Sequence, residues 1–291
     1  MNSTRKLVHV NDVDLCVETF GHPDDPPVLL IMGTAAPMDS WPTGFCERLA
    51  ARDRYVIRYD SRDTGQATSF EPGKPSYRAA DLTNDALGLL DALDIPAAEL
   101  VGVSMGSGIG QELAVSHPHR VTTLTLLGSS PLGSHSYQLP GPSAELGRWL
   151  ADPGPPPDWS DRAAVVERLL ADLRLYHGSV TMDEDAWREL AERIVDRTTD
   201  MAACTLNHWV VLNDPSSGDG EPDSSQITVP TLVLHGTEDP LFPYPHAEAL
   251  AALIPNARLV PMDGVGHQEL PEAVWGIAVE AIVDLAATRN A

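Results

Sequence analysis

The chain has 291 residues, 43% of them hydrophobic and 21% charged, enough for one large core with or without a smaller inserted unit. Its 42 acidic and 19 basic side chains give a formal charge of −23, which repels nucleic acid and anionic membrane surfaces and so argues against either as a partner. The acidity itself reads as a solubility feature, and the scarcity of lysine (Lys6 and Lys74 alone) as a compositional bias.

In chain order, KLVHVNDVDLCVETFG reads as two strands about an Asn11-Asp12 turn. PVLLIMG (27–33) is a short apolar run suited to a strand buried on both faces. Helical spacing follows over 45–53, a strand over 55–60, and a helix over 81–95 with Leu82, Ala86, Leu89, Leu90 and Leu93 on one face. ELVGVS (99–104) is a strand, IGQELAVS begins a helix that Pro118 stops, and VTTLTLLGS (121–129) is a strand. The alternation predicts a mostly parallel sheet with helices on both faces.

The rhythm then breaks. Residues 132–226 contain no convincing strand. They hold proline-rich loops, amphipathic helices over 162–177 and 183–197, a further helix over 201–212, and an acidic Gly/Ser-rich linker over 214–226. Strands over 231–236 and 257–263 and helices over 246–254 and 272–289 resume the pattern. The expected organisation is an α/β core over 1–131 and 227–291 with a helical cap over 132–226. The chain has no run of 18 apolar residues and no apolar leader followed by a small-residue cleavage site. Cys16, Cys46 and Cys204 match no zinc spacing and no disulfide framework, so the expectation is a reduced, cytoplasmic setting and no metal site.

Chemistry enters at Gly102-Val103-Ser104-Met105-Gly106, a G-x-S-x-G between a strand and a helix. A nucleophile in such a tight turn needs neighbours without side chains two residues away, and the following helix offers free N–H groups. A serine hydroxyl needs a base, and the base an orienting acid, in the chain order Ser, Asp or Glu, His. LVLHGTEDP offers Asp239 and LVPMDGVGHQEL offers His267, each on a loop after a strand. Ser104 is then nucleophile, His267 base and Asp239 orienter. Glu238 is a rival acid. Asp263 belongs to a strand end, His235 reads as structural, and His117 and His119 as surface residues. An oxyanion hole needs the N–H of Met105 and a second donor from the loop holding Gly33 and Thr34.

These motifs resemble those of the α/β-hydrolase superfamily, over nearly the whole chain. LLIMGTAAPMDSWP, IRYDSRDTGQAT, GVSMG, LHGTEDP and GVGH are most similar to the aclacinomycin methyl esterase group. Asp63 stands where many relatives carry glycine, and Met32-Gly33-Thr34 replaces the common His-Gly opening of the oxyanion loop. Asp63 is expected to be structural, in an ion-paired turn. The resemblance implies an α/β-hydrolase fold with an inserted helical cap, acting without a cofactor on a small-molecule carboxylic ester. It also suggests a methyl ester on a bulky polyketide-like ring. Trp149, Trp159, Trp187 and Trp209 fall in the cap; Trp187, Trp209 and His208 are candidates for lining a substrate pocket, and packing within the cap is the alternative. The loops at 139–157 and 214–226 offer places for the cap to move. Carbon–carbon bond hydrolysis, lactone opening or perhydrolysis would use the same triad. The related haloalkane dehalogenases and epoxide hydrolases place an aspartate at the nucleophile and are disfavoured. A ligand-binding protein that kept the fold is the non-enzymatic alternative, but here all three triad positions are filled.

Overall fold

The computed structural model describes residues 4–133, 138–180, 182–214 and 222–288. Strands β1 (Thr4–Val10) and β2 (Val13–Phe20) form an antiparallel hairpin with Val10 opposite Val13. Its loop is therefore Asn11-Asp12 alone, with φ of 45° and 64°. A two-residue turn of this hand matches strand twist, and Asn and Asp tolerate it better than most side chains. β3 (Pro27–Ile31), β4 (Tyr55–Tyr59), β5 (Ala98–Val103), β6 (Val121–Leu127), β7 (Thr231–Gly236) and β8 (Arg258–Met262) complete an eight-stranded sheet. The order is β1-β2-β4-β3-β5-β6-β7-β8, antiparallel at β1–β2 and β2–β4 and parallel elsewhere.

Helices α1 (Thr43–Ala50), α2 (Ala79–Ala92) and α3 (Met105–Ser116) lie between the earlier strands. Between β6 and β7 come α4 (Ala144–Ala151), α5 (Arg162–Arg174), α6 (Glu184–Arg197) and α7 (Met201–Leu212). α8 (Pro245–Leu253) follows β7, and α9 (Glu272–Thr288) follows β8. The period-2 geometry of a strand explains the apolar runs. Leu29 and Ile31 face one layer with Leu82, Leu89, Leu113 and Leu250 of α2, α3 and α8. Val28 and Leu30 face the other with Phe45, Leu49, Ala278 and Ile282 of α1 and α9.

Each helix of the insertion starts on a side-chain cap. Ser143, Asp161, Asp183 and Asp200 accept first-turn N–H groups of α4, α5, α6 and α7. Val166, Leu170, Trp187, Leu190, Ala191 and Ile194 of α5 and α6 form a separate apolar cluster. α4 lies within the stretch expected to be loop; its eight residues are flanked by prolines that mask a single Ser143-capped turn pair in the sequence. The central part of the expected acidic linker, residues 215–221, lies outside the described residues.

Candidate active site

Six parallel strands, β4, β3, β5, β6, β7 and β8, end on one edge of the sheet. Gly33 and Thr34 follow β3, Ser104 follows β5, Asp239 follows β7 and His267 follows β8. Ligands of open α/β sheets bind outside this edge.

Ser104 alone joins β5 to α3, with φ 53° and ψ −116°. That conformation is strained for any residue with a side chain and persists only where the surroundings over-determine it. They do so here. A Cβ on Gly106 would lie 2.2 Å from the carbonyl oxygen of Ile31, and one on Gly102 would lie 2.3 Å from the carbonyl oxygen of Gly106. The turn is thus pressed against β3 at backbone distance, which only glycine permits. The buried Ser107 hydroxyl locks it from below, donating to the Gly102 carbonyl at 2.7 Å and accepting from the Leu127 N–H at 3.1 Å. Sequence reasoning passed over Ser107; its place one turn after the nucleophile was the available signal.

His267 and Asp239 meet directly. Nδ1 of His267 is 2.8 Å from Oδ2 of Asp239. The other carboxylate oxygen accepts the N–H groups of Leu241 and Phe242, both at 2.8 Å. Burial alone would raise the Asp239 carboxyl, but His267, His235 and the Phe242 N–H outweigh it and hold the pKa below its ordinary value. Ser104 N–H donates to the Leu127 carbonyl at 2.9 Å, and the next residue, Gly128, packs against the His267 ring. The end of β6 thus touches both the Ser104 backbone and the histidine ring. Glu238, the rival acid, points elsewhere: it accepts from Ser179 N–H at 2.7 Å and Ser179 hydroxyl at 2.9 Å. Asp263 lies in the turn after β8.

On the oxyanion side, Met105 is the first residue of α3, so its N–H has no intrahelical partner. Among the described residues the Thr34 N–H also has no protein acceptor. Gly33 lies under Ser104, its position 3.3 Å from the Ser104 Cβ for an added side chain.

The insertion touches these loops more closely than the sequence suggested. Segment 176–180, between α5 and α6, forms a strap over the acid and base loops. The Tyr176 carbonyl accepts the His267 N–H at 2.8 Å, and Val180 N–H donates to the Gly264 carbonyl at 2.8 Å. Gln268 binds both sides: Oε1 accepts the Gly178 N–H at 2.8 Å and the Gly266 N–H at 3.3 Å, and Nε2 donates to the Val180 carbonyl at 3.1 Å. Gly178 and Gly266 face each other so closely that a Cβ on Gly178 would sit 2.7 Å from the Gly266 nitrogen.

His208 and Trp187 do not line an open pocket. His208 is wholly buried, with Nδ1 accepting the Ala35 N–H at 3.0 Å and Nε2 donating to the Arg62 carbonyl at 2.8 Å. Burial holds its pKa down, against the pull of that carbonyl and of Asp63. It is a neutral strut from α7 to the loop that carries Thr34. Trp187 is 2% exposed, sits in the α5–α6 cluster and stacks on His177 at 4.3 Å. Trp209 is half-buried on α7. The aromatic groups nearest His267 are instead Phe242, edge-on at 5.5 Å, and Tyr176 at 6.0 Å, with Trp149 against Tyr176 at 6.2 Å. Burial raises the Tyr176 hydroxyl to about 12. An open, charged depression of about 560 Å³ is lined by Gln66, Glu189, Glu192, Arg193, Asp196 and Arg197, none of which belongs to this set.

The Asp60–Gly65 turn is ion-paired, but not through Asp63. Asp60 pairs with Arg197, and Arg62 with Asp85. Asp63 accepts the Phe70 N–H at 2.7 Å and the Tyr77 hydroxyl at 2.6 Å. Among the described residues no group of three or more His, Cys, Asp or Glu is placed to hold a metal, and no helix is long and apolar enough to cross a membrane.

A strand–serine–helix elbow with an Asp–His pair at the same sheet edge is the layout of a hydrolase of this architecture. The family model described as alpha/beta hydrolase fold matches residues 26–272, and the chain belongs to that family. It is 34% identical over 284 residues to rhodomycin D methylesterase DauP of Streptomyces sp. (strain C5), spanning 92% of this chain and 93% of the relative. DnrP of Streptomyces peucetius, also a rhodomycin D methylesterase, matches to the same extent. The 2-hydroxymuconate semialdehyde hydrolase of Pseudomonas putida is 30% identical over 241 residues, 83% of this chain and 80% of that one. The crystal structure of the enol-lactonase from Burkholderia xenovorans LB400 has the same fold, with TM-score 0.71 at 24% identity over 97% of this chain and 100% of that one.

Proposed function

We propose that the chain is a carboxylic ester hydrolase that works through an acyl-enzyme on Ser104, with His267 as base and Asp239 as orienter. The coarser statement, an ester hydrolase of the alpha/beta hydrolase fold family, rests on the family match and the methylesterase relatives. The observation that carries the finer one is the 2.8 Å bond from His267 to a buried Asp239 at the edge where a strained turn exposes Ser104.

In this reading Ser104 Oγ attacks the ester carbonyl while Nε2 of His267 takes its proton. Nδ1–H of His267 stays bonded to Asp239, which stabilises the imidazolium. The N–H groups of Met105 and Thr34 hold the oxyanion; losing one such donor costs about 100- to 1,000-fold in rate. His267 then protonates the departing alcohol, and water admitted on the same histidine frees the acid. The insertion serves as the cap that walls the site. The methylesterase relatives favour a methyl ester, taken here as one of a bulky polyketide-like acid, so that the alcohol is methanol.

The test is methanol release from such an ester, with p-nitrophenyl esters of increasing acyl length as a control for pocket depth. A burst followed by turnover in the wild type, absent in Ser104→Ala, is expected. Undiminished hydrolysis by Ser104→Ala would overturn the reading. The relative that cleaves 2-hydroxymuconate semialdehyde supports a second reading, carbon–carbon bond hydrolysis by the same residues. Consumption of that compound, with no methanol from any ester, would favour it.

A further inference from the structure

The end of β7 carries a histidine that the mechanism above does not use. His235 is wholly buried, with Nε2 2.7 Å from the Phe242 carbonyl oxygen and 3.5 Å from Oδ2 of Asp239. Its Nδ1 has no hydrogen-bond partner among the described residues. Both acceptors face Nε2, so the ring proton belongs there. Burial holds the imidazole below its usual pKa; Asp239 and the Phe242 carbonyl oppose this, while His267 and His246 reinforce it. The Tyr244 ring stands across His235 at 6.2 Å.

The carbonyl that His235 holds belongs to the turn that cradles Asp239. Phe242 meets all three groups: its carbonyl accepts from His235, its N–H donates to Oδ1 of Asp239, and its ring stands against His267. We propose that His235 is a positioning residue for the Asp239–His267 pair. By fixing the Phe242 carbonyl it aims the Leu241 and Phe242 N–H groups at Oδ1 and leaves Oδ2 to His267. The role rests on the triad reading given above. Without the donor, the turn relaxes and the carboxylate rotates, so the histidine loses alignment while the substrate surface is untouched.

Two substitutions separate the donor from the bulk. His235→Phe keeps a ring and removes Nε2–H; His235→Gln keeps an N–H at a similar reach. In His235→Phe, kcat falls about 10- to 100-fold, the scale found for groups that orient a metal-bound histidine. KM stays within about twofold, and the acid limb of kcat/KM moves to lower pH because the imidazolium loses its aligned carboxylate. His235→Gln stays within about threefold of wild type in kcat. A folded His235→Phe with unchanged kcat and acid limb overturns the proposal, as does an equal loss in both variants. Nitrogen-15 NMR of the wild-type side chains gives a test that needs no variant. Near neutral pH His235 carries its one ring proton on Nε2; a proton on Nδ1 overturns the proposal. Ser104→Ala and Asp239→Ala keep the two readings apart. Full activity in both sinks the triad, whereas inactivity in both with an unaffected His235→Phe sinks the positioning role alone.

Discussion

Ser104 is held in a backbone conformation that its neighbours enforce, and the enforcement is measurable residue by residue. The Cβ of Gly106→Ala would meet the Ile31 carbonyl oxygen at 2.2 Å, so the elbow must shift away from β3. A misplacement of about 1 Å costs on the order of 100-fold in rate. Gly106→Ala should therefore lose at least that much in kcat on a p-nitrophenyl ester, with its fold checked by circular dichroism. Two residues past the candidate base, Glu269 is buried and its Oε2 has no hydrogen-bond partner among the described residues. Burial raises its pKa, against its own N–H, Ser40 and His267. The folded chain therefore keeps a proton there that the unfolded chain releases above its ordinary carboxyl pKa. That contribution lowers stability as pH rises from the unfolded value to the folded one, then levels off. Glu269→Gln should melt at a higher temperature than wild type at pH 8, with the advantage vanishing toward pH 4. An advantage that does not shrink as pH falls would contradict this.

At the scale of elements, the strap 176–180 is what the sequence did not disclose. Asp239 and His267 were legible because each follows an apolar strand by a few residues, and a parallel sheet brings all such ends to one edge. Ser104 was legible because glycine punctuates a strand-to-helix junction. The strap has no periodicity and no glycine motif; its meaning lies in hydrogen bonds to residues about 90 positions away. The same holds for His208, whose spacing beside Trp209 suggested a pocket while its ring ties α7 to the loop of Thr34. The eight-residue stretch that α4 fills between proline-rich segments was likewise too short for helical spacing to stand out. The strap has an energetic signature. Gln268→Met keeps the side chain's length but leaves the Gly178 N–H without its acceptor, which costs about 1–3 kcal/mol. Urea denaturation should show that loss, and an unchanged midpoint would mean that water or a shifted backbone replaces the amide.

Across the whole molecule, the insertion is fastened to the core at the loops that carry the candidate chemistry. The strap binds the acid and base loops, and α7 binds Ala35 through both its N–H and, by Cys204 Sγ at 3.4 Å, its carbonyl. At the end of α6, Arg197 spans Asp60 at 2.5 and 2.7 Å and reaches Asp39. Both carboxylates are buried, and Asp60 also accepts the Met38 and Gln66 N–H groups. These ties join the insertion to the core between the loops at 139–157 and 214–226 that offered places for it to move. Arg197→Met would leave the buried Asp60 without its cation, and Asp39 with Arg193 alone at 3.7 Å; breaking a buried pair typically costs about 3–5 kcal/mol. A loss of that size in urea denaturation, little relieved by salt, is expected; a surface-like change below about 1 kcal/mol would contradict the joint.

The central claim is that Ser104 is an activated nucleophile, and a fluorophosphonate probe followed by intact-mass and peptide analysis tests it without knowledge of the substrate. One adduct per chain, on Ser104, slowed in His267→Ala and absent in Ser104→Ala, is the predicted result. A folded wild-type chain that takes up no probe, or takes it up at another residue while still cleaving esters, would contradict it.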